Sequence, residues 1–508
     1  MAQATGLVEV FVRGVRMLSQ RSAISIKKEK IIYLNQCFKL FLCNTTSGTH
    51  GGIAPNLAVR QNTRLALQVN LPGGDRNTMT QNAKNKAAIL ASLPMKSGED
   101  PFIVGIGGFY RRWFNLIDDM QLLIDTVASI KSTEDEDWVP VWSAVGAEYE
   151  KKGDALLARK GNGKDRTGAR QAYIQAKTYY SLARFPSPYW SGSSICPPDM
   201  SPIKAQSYED YLRCYRKSAA LLPDQPEVIT VKKNGMKATG YLRLPKGASK
   251  ANKVPAVLVM CGADMYKEDR EKYAEGALSQ GMAALVVDAP GTGETTFPHA
   301  PESVVAWQAA LDVLQKRPEI DDKRIGAFGV SRGGLWVIRL AAHDTRIKGL
   351  IACAPGGAGY WGTPEERADW RKAAYERAKT NWFGPRGTRP PLKEMSEEEH
   401  RKDFLRWSLK DQDLLKNLTM PMYMVNGKID HLTPIGNLYM LLESGPADGR
   451  VARVYADDGH IAAKNEREWG PASWAWLRDV LTKGKKPKAA TKKPAKKKVA
   501  AKKLVKKK

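Results

Sequence analysis

Gly329-Val330-Ser331-Arg332-Gly333 satisfies G-x-S-x-G, and its surroundings suit a nucleophile. One apolar run, Ile325 to Gly329, leads into the Ser, and another, Leu335 to Ala342, leaves it. A strand turning sharply into a helix holds a Ser in a strained turn with its hydroxyl exposed, and small flanking residues let the turn close. The chemistry implied is attack on a carbonyl: the hydroxyl attacks, a base takes its proton and an acid orients the base. The first helical amide, that of Arg332, would face the charge developing on the carbonyl oxygen.

Turns of this kind are followed along the chain by the acid and then the His, which sorts the six His of the sequence. His50 and His299 precede the Ser, and His343 lies in the helix that follows it. His400 sits beside Glu397 to Glu399, and His431 abuts the best acid. His460 remains, in Asp457-Asp458-Gly459-His460, a Gly-containing loop after the last apolar strand. The strand Met420 to Asn426 delivers Asp430 through Gly427-Lys428-Ile429. Asp430 as a helix cap and His460 as a packed loop residue are the structural alternatives.

A second oxyanion donor is expected after the strand Ala256 to Met260, where Cys261-Gly262-Ala263-Asp264 makes the Ala263 amide the choice. Cys261 has apolar neighbours and no base in its motif, so it reads as packing. Asp288 to Glu294 forms a rigid loop near the same pocket without the G-x-x-x-x-G-K-[ST] pattern of a phosphate cradle. Asp264, Glu294, Tyr360 and Trp361 are candidates for the substrate pocket. Trp370, Trp382, Phe383 and Trp407 fit a pocket or plain packing equally well.

The elements that must hold these groups follow from periodicity. The 508 residues correspond to about three packing units. Residues 44 to 78 are rich in Thr, Gly, Asn, Gln and Pro, so 1–78 reads as a disordered extension. Apolar residues at spacings of three and four, such as Trp142, Val145 and Tyr149, predict a helical cap over 79–223. After Pro223 the period becomes two, with a hairpin closed by Asn234-Gly235. Short apolar strands then alternate with helices through Ala354, the pattern of a mostly parallel, doubly wound sheet. This α/β domain spans 224–482, with a short helical insertion at about 359–417.

Net charge is +27, but residues 483–508 hold 14 Lys and no acid, and residues 1–78 add +7, leaving +6 for 79–482. Electrostatic partners therefore belong to the ends, and the tail is expected to be disordered and to bind polyanions without sequence choice. Six scattered Cys form no C-x-x-C pair, and no long uncharged apolar run occurs. A cytoplasmic protein with no membrane span, no disulfide framework, no metal and no cofactor is expected. A nucleic-acid-associated protein acting through its tail is the rival from another class. A serine peptidase of the prolyl oligopeptidase type shares the triad order, but usually carries a β-propeller where this chain has helical periodicity.

The helical block, Gly262-Ala263-Asp264 with Lys267-Glu268 behind it, Pro290-Gly291-Thr292-Gly293-Glu294, the G-x-S-x-G-G turn and the late Asp and His together resemble the family of 2,6-dihydroxypseudooxynicotine hydrolase and related esterases. The resemblance covers about residues 138–480. It implies an α/β-hydrolase core with a helical N-terminal cap, and cleavage of an ester or of the C–C bond next to a ketone, without a cofactor. It also implies a small, aromatic or apolar carbonyl substrate and a homodimer through the cap. Arg332 departs from the apolar residue expected after the nucleophile.

Overall fold

A computed structural model describes residues 116–129, 135–159, 163–184, 201–262, 265–369, 396–446 and 448–482. The extension at 1–78, the tail at 483–508, and Ala263, Asp264, Trp370, Trp382 and Phe383 lie outside the described residues.

The described residues ahead of the sheet form four helices, α1 (Met120–Ser129), α2 (Asp135–Ala158), α3 (Gly163–Ala183) and α4 (Pro202–Ala219). The aromatic stripes are the packing surface between these helices. Trp138 meets Trp142 edge-on at 5.5 Å, Tyr149 stacks on Tyr179 at 5.5 Å, and Trp138 Nε1 donates to Leu182 O. Glycine on α2 makes the close approach possible, since a Cβ on Gly153 would sit 2.5 Å from the Tyr173 ring. α4 starts where Ser201 accepts a hydrogen bond from Lys204 N–H and Pro202 occupies the first turn. Its Tyr215 packs on Tyr241 of the sheet, and Tyr208 and Tyr211 pack on Tyr266.

Asn234 and Gly235, at φ 51° and 76°, close the predicted hairpin between β1 (Glu227–Lys233) and β2 (Met236–Arg243). There follow β3 (Val254–Met260), α5 (Glu271–Ser279), β4 (Ala283–Val287), α6 (Val304–Lys316), β5 (Ile320–Val330), α7 (Arg332–His343) and β6 (Ile347–Cys353). Beyond the insertion, with α8 (Glu397–Trp407), come β7 (Met422–Gly427), α9 (Gly436–Glu443), β8 (Arg450–Tyr455) and α10 (Glu466–Thr482). The strands form one sheet in the order β1-β2-β4-β3-β5-β6-β7-β8, antiparallel at the β1/β2 and β2/β4 pairs and parallel from β4 onward.

Both faces of β3, β4, β6 and β7 are covered, which is why they read as near-continuous apolar runs. On β3, Ala256, Leu258 and Met260 face a layer with Trp307 of α6 and Trp336 of α7. Val257 and Val259 face the opposite layer, with Tyr273 of α5 and Trp474 and Leu477 of α10. One boundary differs from the sequence reading. β5 begins at Ile320, before the apolar run at Ile325, because Ile320 pairs with Val254 of β3 while the charged Asp321 to Arg324 lie at the rim. Ahead of α5 the chain makes a 3-10 turn, Lys267–Asp269, in which the Asp269 carboxylate accepts from Tyr266 N–H.

Candidate active site

β5 ends at Val330 and α7 begins at Arg332, so Ser331 alone turns the chain, at φ 58° and ψ −118°. A residue with a side chain in such a conformation costs about 1–3 kcal/mol and needs support from its surroundings. Ser331 N–H donates to Cys353 O at 2.9 Å, and Leu335 N–H donates to Ser331 O at 3.2 Å. The turn is also tight beyond what a side chain permits. A Cβ on Gly329 would lie 1.9 Å from Gly333 O, and one on Gly333 would lie 2.3 Å from Met260 O. Gly333→Ala is therefore expected to cost about 3 kcal/mol, since backbone rather than a flexible side chain must move. Denaturant unfolding checks this, and a cost below about 1 kcal/mol would mean the neighbouring backbone yields freely.

β7 carries Asp430 to the same edge of the sheet. Its carboxylate is buried and receives four polar contacts: Leu432 N–H and Thr433 N–H on Oδ1 at 2.8 and 3.0 Å, and Asn426 Nδ2 and His460 Nδ1 on Oδ2 at 2.9 and 2.8 Å. Burial alone would push this carboxyl up, but the contacts with His460, Thr433 and Asn426 outweigh it and hold Asp430 below the usual aspartate value. Asp430 is thus not the cap of α9, which begins only at Gly436.

His460 follows β8 and lies 2.8 Å through Nε2 from Ser331 Oγ. With the proton on Nδ1, the ring donates to Asp430 and leaves Nε2 to accept from the Ser331 hydroxyl. Its loop is braced by groups the sequence reading did not single out. Asp458 is buried and accepts from Gly459 N–H, Lys464 N–H and Asn465 Nδ2, stapling the two sides of the His together. The Cys353 thiol donates to Ile461 O, and Trp469 Nε1 donates to Ala462 O. The repeated acid in Asp457-Asp458-Gly459-His460 was the available signal for the first of these. Such a line of hydroxyl, imidazole and carboxylate can carry nucleophilic acyl transfer.

Arg332 opens α7, so its N–H is a first-turn donor outside the helix's own ladder. Its side chain is half-buried, and desolvation holds the guanidinium down to about 9. Glu294 pairs with Lys267 Nζ at 2.8 Å. Tyr360 donates to Glu366 Oε2 and presses its ring on Gly436, while Trp361 packs among His400, Phe404 and Arg367. Trp407 stacks on His299 at 4.9 Å. Cys261 is buried, and burial pushes its thiol up, in keeping with packing. Among the described residues no group of His, Cys, Asp and Glu is arranged to hold a metal ion, and no helix is long and apolar enough to cross a membrane.

A family model described as "Esterase FrsA-like" matches residues 118–479. The chain belongs to the FrsA-like esterase family. It is 25% identical over 383 residues to a 2,6-dihydropseudooxynicotine hydrolase of Paenarthrobacter nicotinovorans, covering 74% of this chain and 93% of the relative. It is 26% identical over 314 residues to Esterase FrsA of Photobacterium profundum, covering 61% of this chain and 68% of that one. The crystal structure of the 2,6-dihydroxy-pseudo-oxynicotine hydrolase superposes with a TM-score of 0.55 at 22% identity, covering 72% of this chain and 94% of that one. AbyA5 superposes at a TM-score of 0.52 and 19% identity, covering 74% and 98%. These likenesses and the eight-stranded sheet make this FrsA-like chain an α/β-hydrolase. Relatives named hydrolases and esterases make it an enzyme, a hydrolase of carbonyl substrates.

Proposed function

We infer that the protein is a serine hydrolase in which Ser331 attacks a carbonyl carbon, His460 takes the hydroxyl proton and later returns one to the leaving group, and Asp430 orients the imidazole and stabilises its charged form. The oxyanion is held by the amides of Arg332 and Ala263. The single observation that supports this most is the continuous line from Ser331 Oγ through His460 to Asp430, with 2.8 Å at each step. The bond cleaved is an ester or the C–C bond next to a ketone, in keeping with relatives named an esterase and a pseudooxynicotine hydrolase. The helices α2 to α4 ahead of the sheet favour this reading over a propeller-bearing peptidase. Labelling with a fluorophosphonate, followed by peptide mapping, tests it. Modification at Ser331 is the expected result; an unlabelled protein, or a label on another Ser, rejects it.

Arg332 biases the site towards substrates with an anionic group. Arg332 directly follows Ser331 in the chain, and its half-buried guanidinium is partly desolvated, so pairing with a carboxylate on the substrate would cost less than at an exposed arginine. Arg332→Leu is expected to lower the preference for a carboxylated over a neutral ester of the same alcohol by about tenfold, the scale of one charged hydrogen bond. Steady-state kcat/KM for the two esters measures the ratio, and an unchanged ratio ends the idea.

A further inference from the structure

Lys267 lies beyond the turn that follows β3, and its side chain is fully buried. Its ammonium meets three carboxylates: Glu268 at 2.7 Å, Asp288 at 2.8 Å and Glu294 at 2.8 Å. Asp288, at the end of β4, does more than balance charge. Its Oδ1 accepts from the Lys267 amide at 2.9 Å and its Oδ2 from the Glu294 amide at 3.0 Å, so one carboxylate grips the loops after both strands. Glu268 accepts from Tyr241 of β2 at 3.0 Å. The helical cap joins the same cluster, since Lys177 of α3 donates to Glu268 O and to Asp269 Oδ1.

A buried charge cluster of this kind is weak evidence for stability, because desolvation offsets much of the attraction. Burial pushes the Glu268 carboxyl up, to about 7, and Asp288 up as well. Against its own desolvation, the carboxylates around Lys267 hold the ammonium well above the usual lysine value. What the cluster does secure is geometry. β3 lies between β4 and β5 in the sheet, so Gly262 at its end comes beside Ser331 after β5, and Lys267 beyond it comes beside Asp288 after β4. The place a Cβ on Gly262 would occupy is 3.5 Å from Ser331 Cβ.

We propose that Lys267, Asp288 and Glu294 are positioning residues for the oxyanion hole, clamping at Lys267 the chain that leaves β3 beside Ser331. This rests on the serine-hydrolase reading above. None of the three touches the reacting atoms. They act through the backbone of the turn, and the cap contributes through Lys177.

The test compares the rates at which full-length wild type and variants react with a phosphonofluoridate and with its P=S analogue. In both reactions the Ser331 Oγ–P bond forms, the P–F bond breaks, fluoride leaves and the hydroxyl proton passes to His460. The P=O oxygen depends on oxyanion donors, whereas sulfur accepts hydrogen bonds weakly, so the ratio of the two rates reads the hole itself. Lys267→Met is expected to lower the P=O to P=S ratio by about tenfold, a fraction of what loss of a whole donor costs. A loss of folded protein would lower both rates together and leave the ratio alone. Because Lys267→Met leaves buried carboxylates without their cation, Glu294→Gln provides a milder variant at a partly exposed partner, with an expected fall of about threefold. An unchanged ratio in the folded variants overturns the clamp; if Lys267→Met does not fold, Glu294→Gln alone decides. No reaction of the wild type with either probe overturns the serine-hydrolase reading and the clamp together.

Discussion

Ser331→Ala is expected to lower turnover by roughly 10⁴- to 10⁶-fold and to abolish phosphonylation, while the thermal midpoint stays close to that of the wild type. The size of the effect follows from the chemistry: without the hydroxyl only water remains to attack, and what survives is the binding and polarisation supplied by the helix N-terminus. The fold tolerates the change because Ser331 is held through its backbone, by Cys353 O and Leu335 N–H, and its side chain contacts His460. Ala accepts the same positive φ about as well as Ser. Turnover within tenfold of the wild type, or a label that moves to another Ser, would remove Ser331 from the mechanism.

Asp430→Asn is expected to cost about 10⁴-fold in kcat at neutral pH. The surroundings of this side chain dictate how the amide must sit. Leu432 and Thr433 present two N–H donors to Oδ1, so the carbonyl oxygen of Asn turns there and the NH₂ group faces His460. Asn426 cannot readily reverse to compensate, since its own Oδ1 accepts from Gly427 N–H. An NH₂ donor opposite Nδ1 forces the imidazole proton onto Nε2, which then points at Ser331 and cannot take its proton. The pH–rate profile and kcat of the variant measure this. A loss of less than about tenfold would assign orientation of the imidazole to the backbone of the loop rather than to Asp430.

Much of the site could be read from local pattern. Ser331 is recognisable because strand, turn and helix are consecutive in the chain and the turn has Gly at both flanks, where an added Cβ would come within 1.9 and 2.3 Å of backbone oxygens. The apolar runs of β3, β4 and β6 announce a sheet buried on both faces, and Asn234-Gly235 announces a hairpin; both follow from steric rules acting over a few residues. Asp430 and His460 could be nominated from their place after the late strands. The choice rested on elimination among the six His, a matter of chain order rather than of distance.

Other features depended on which strands become neighbours. Lys267 and Asp288 are 21 positions apart and meet because β4 lies beside β3, and Glu294 then turns to the ammonium between them. The Ser331 to His460 contact spans 129 positions and exists because β5 and β8 end at the same edge of one sheet. Asp458 showed in the sequence only as a second acid beside Asp457, yet its carboxylate braces the loop that carries His460. Periodicity and turn chemistry are short-range properties, so the sequence by itself determined the elements, the turn at Ser331 and the candidates for its partners. Strand order, and the burial it imposes on charged side chains, arises only when distant segments pack, so the tertiary structure alone decided which of those groups touch.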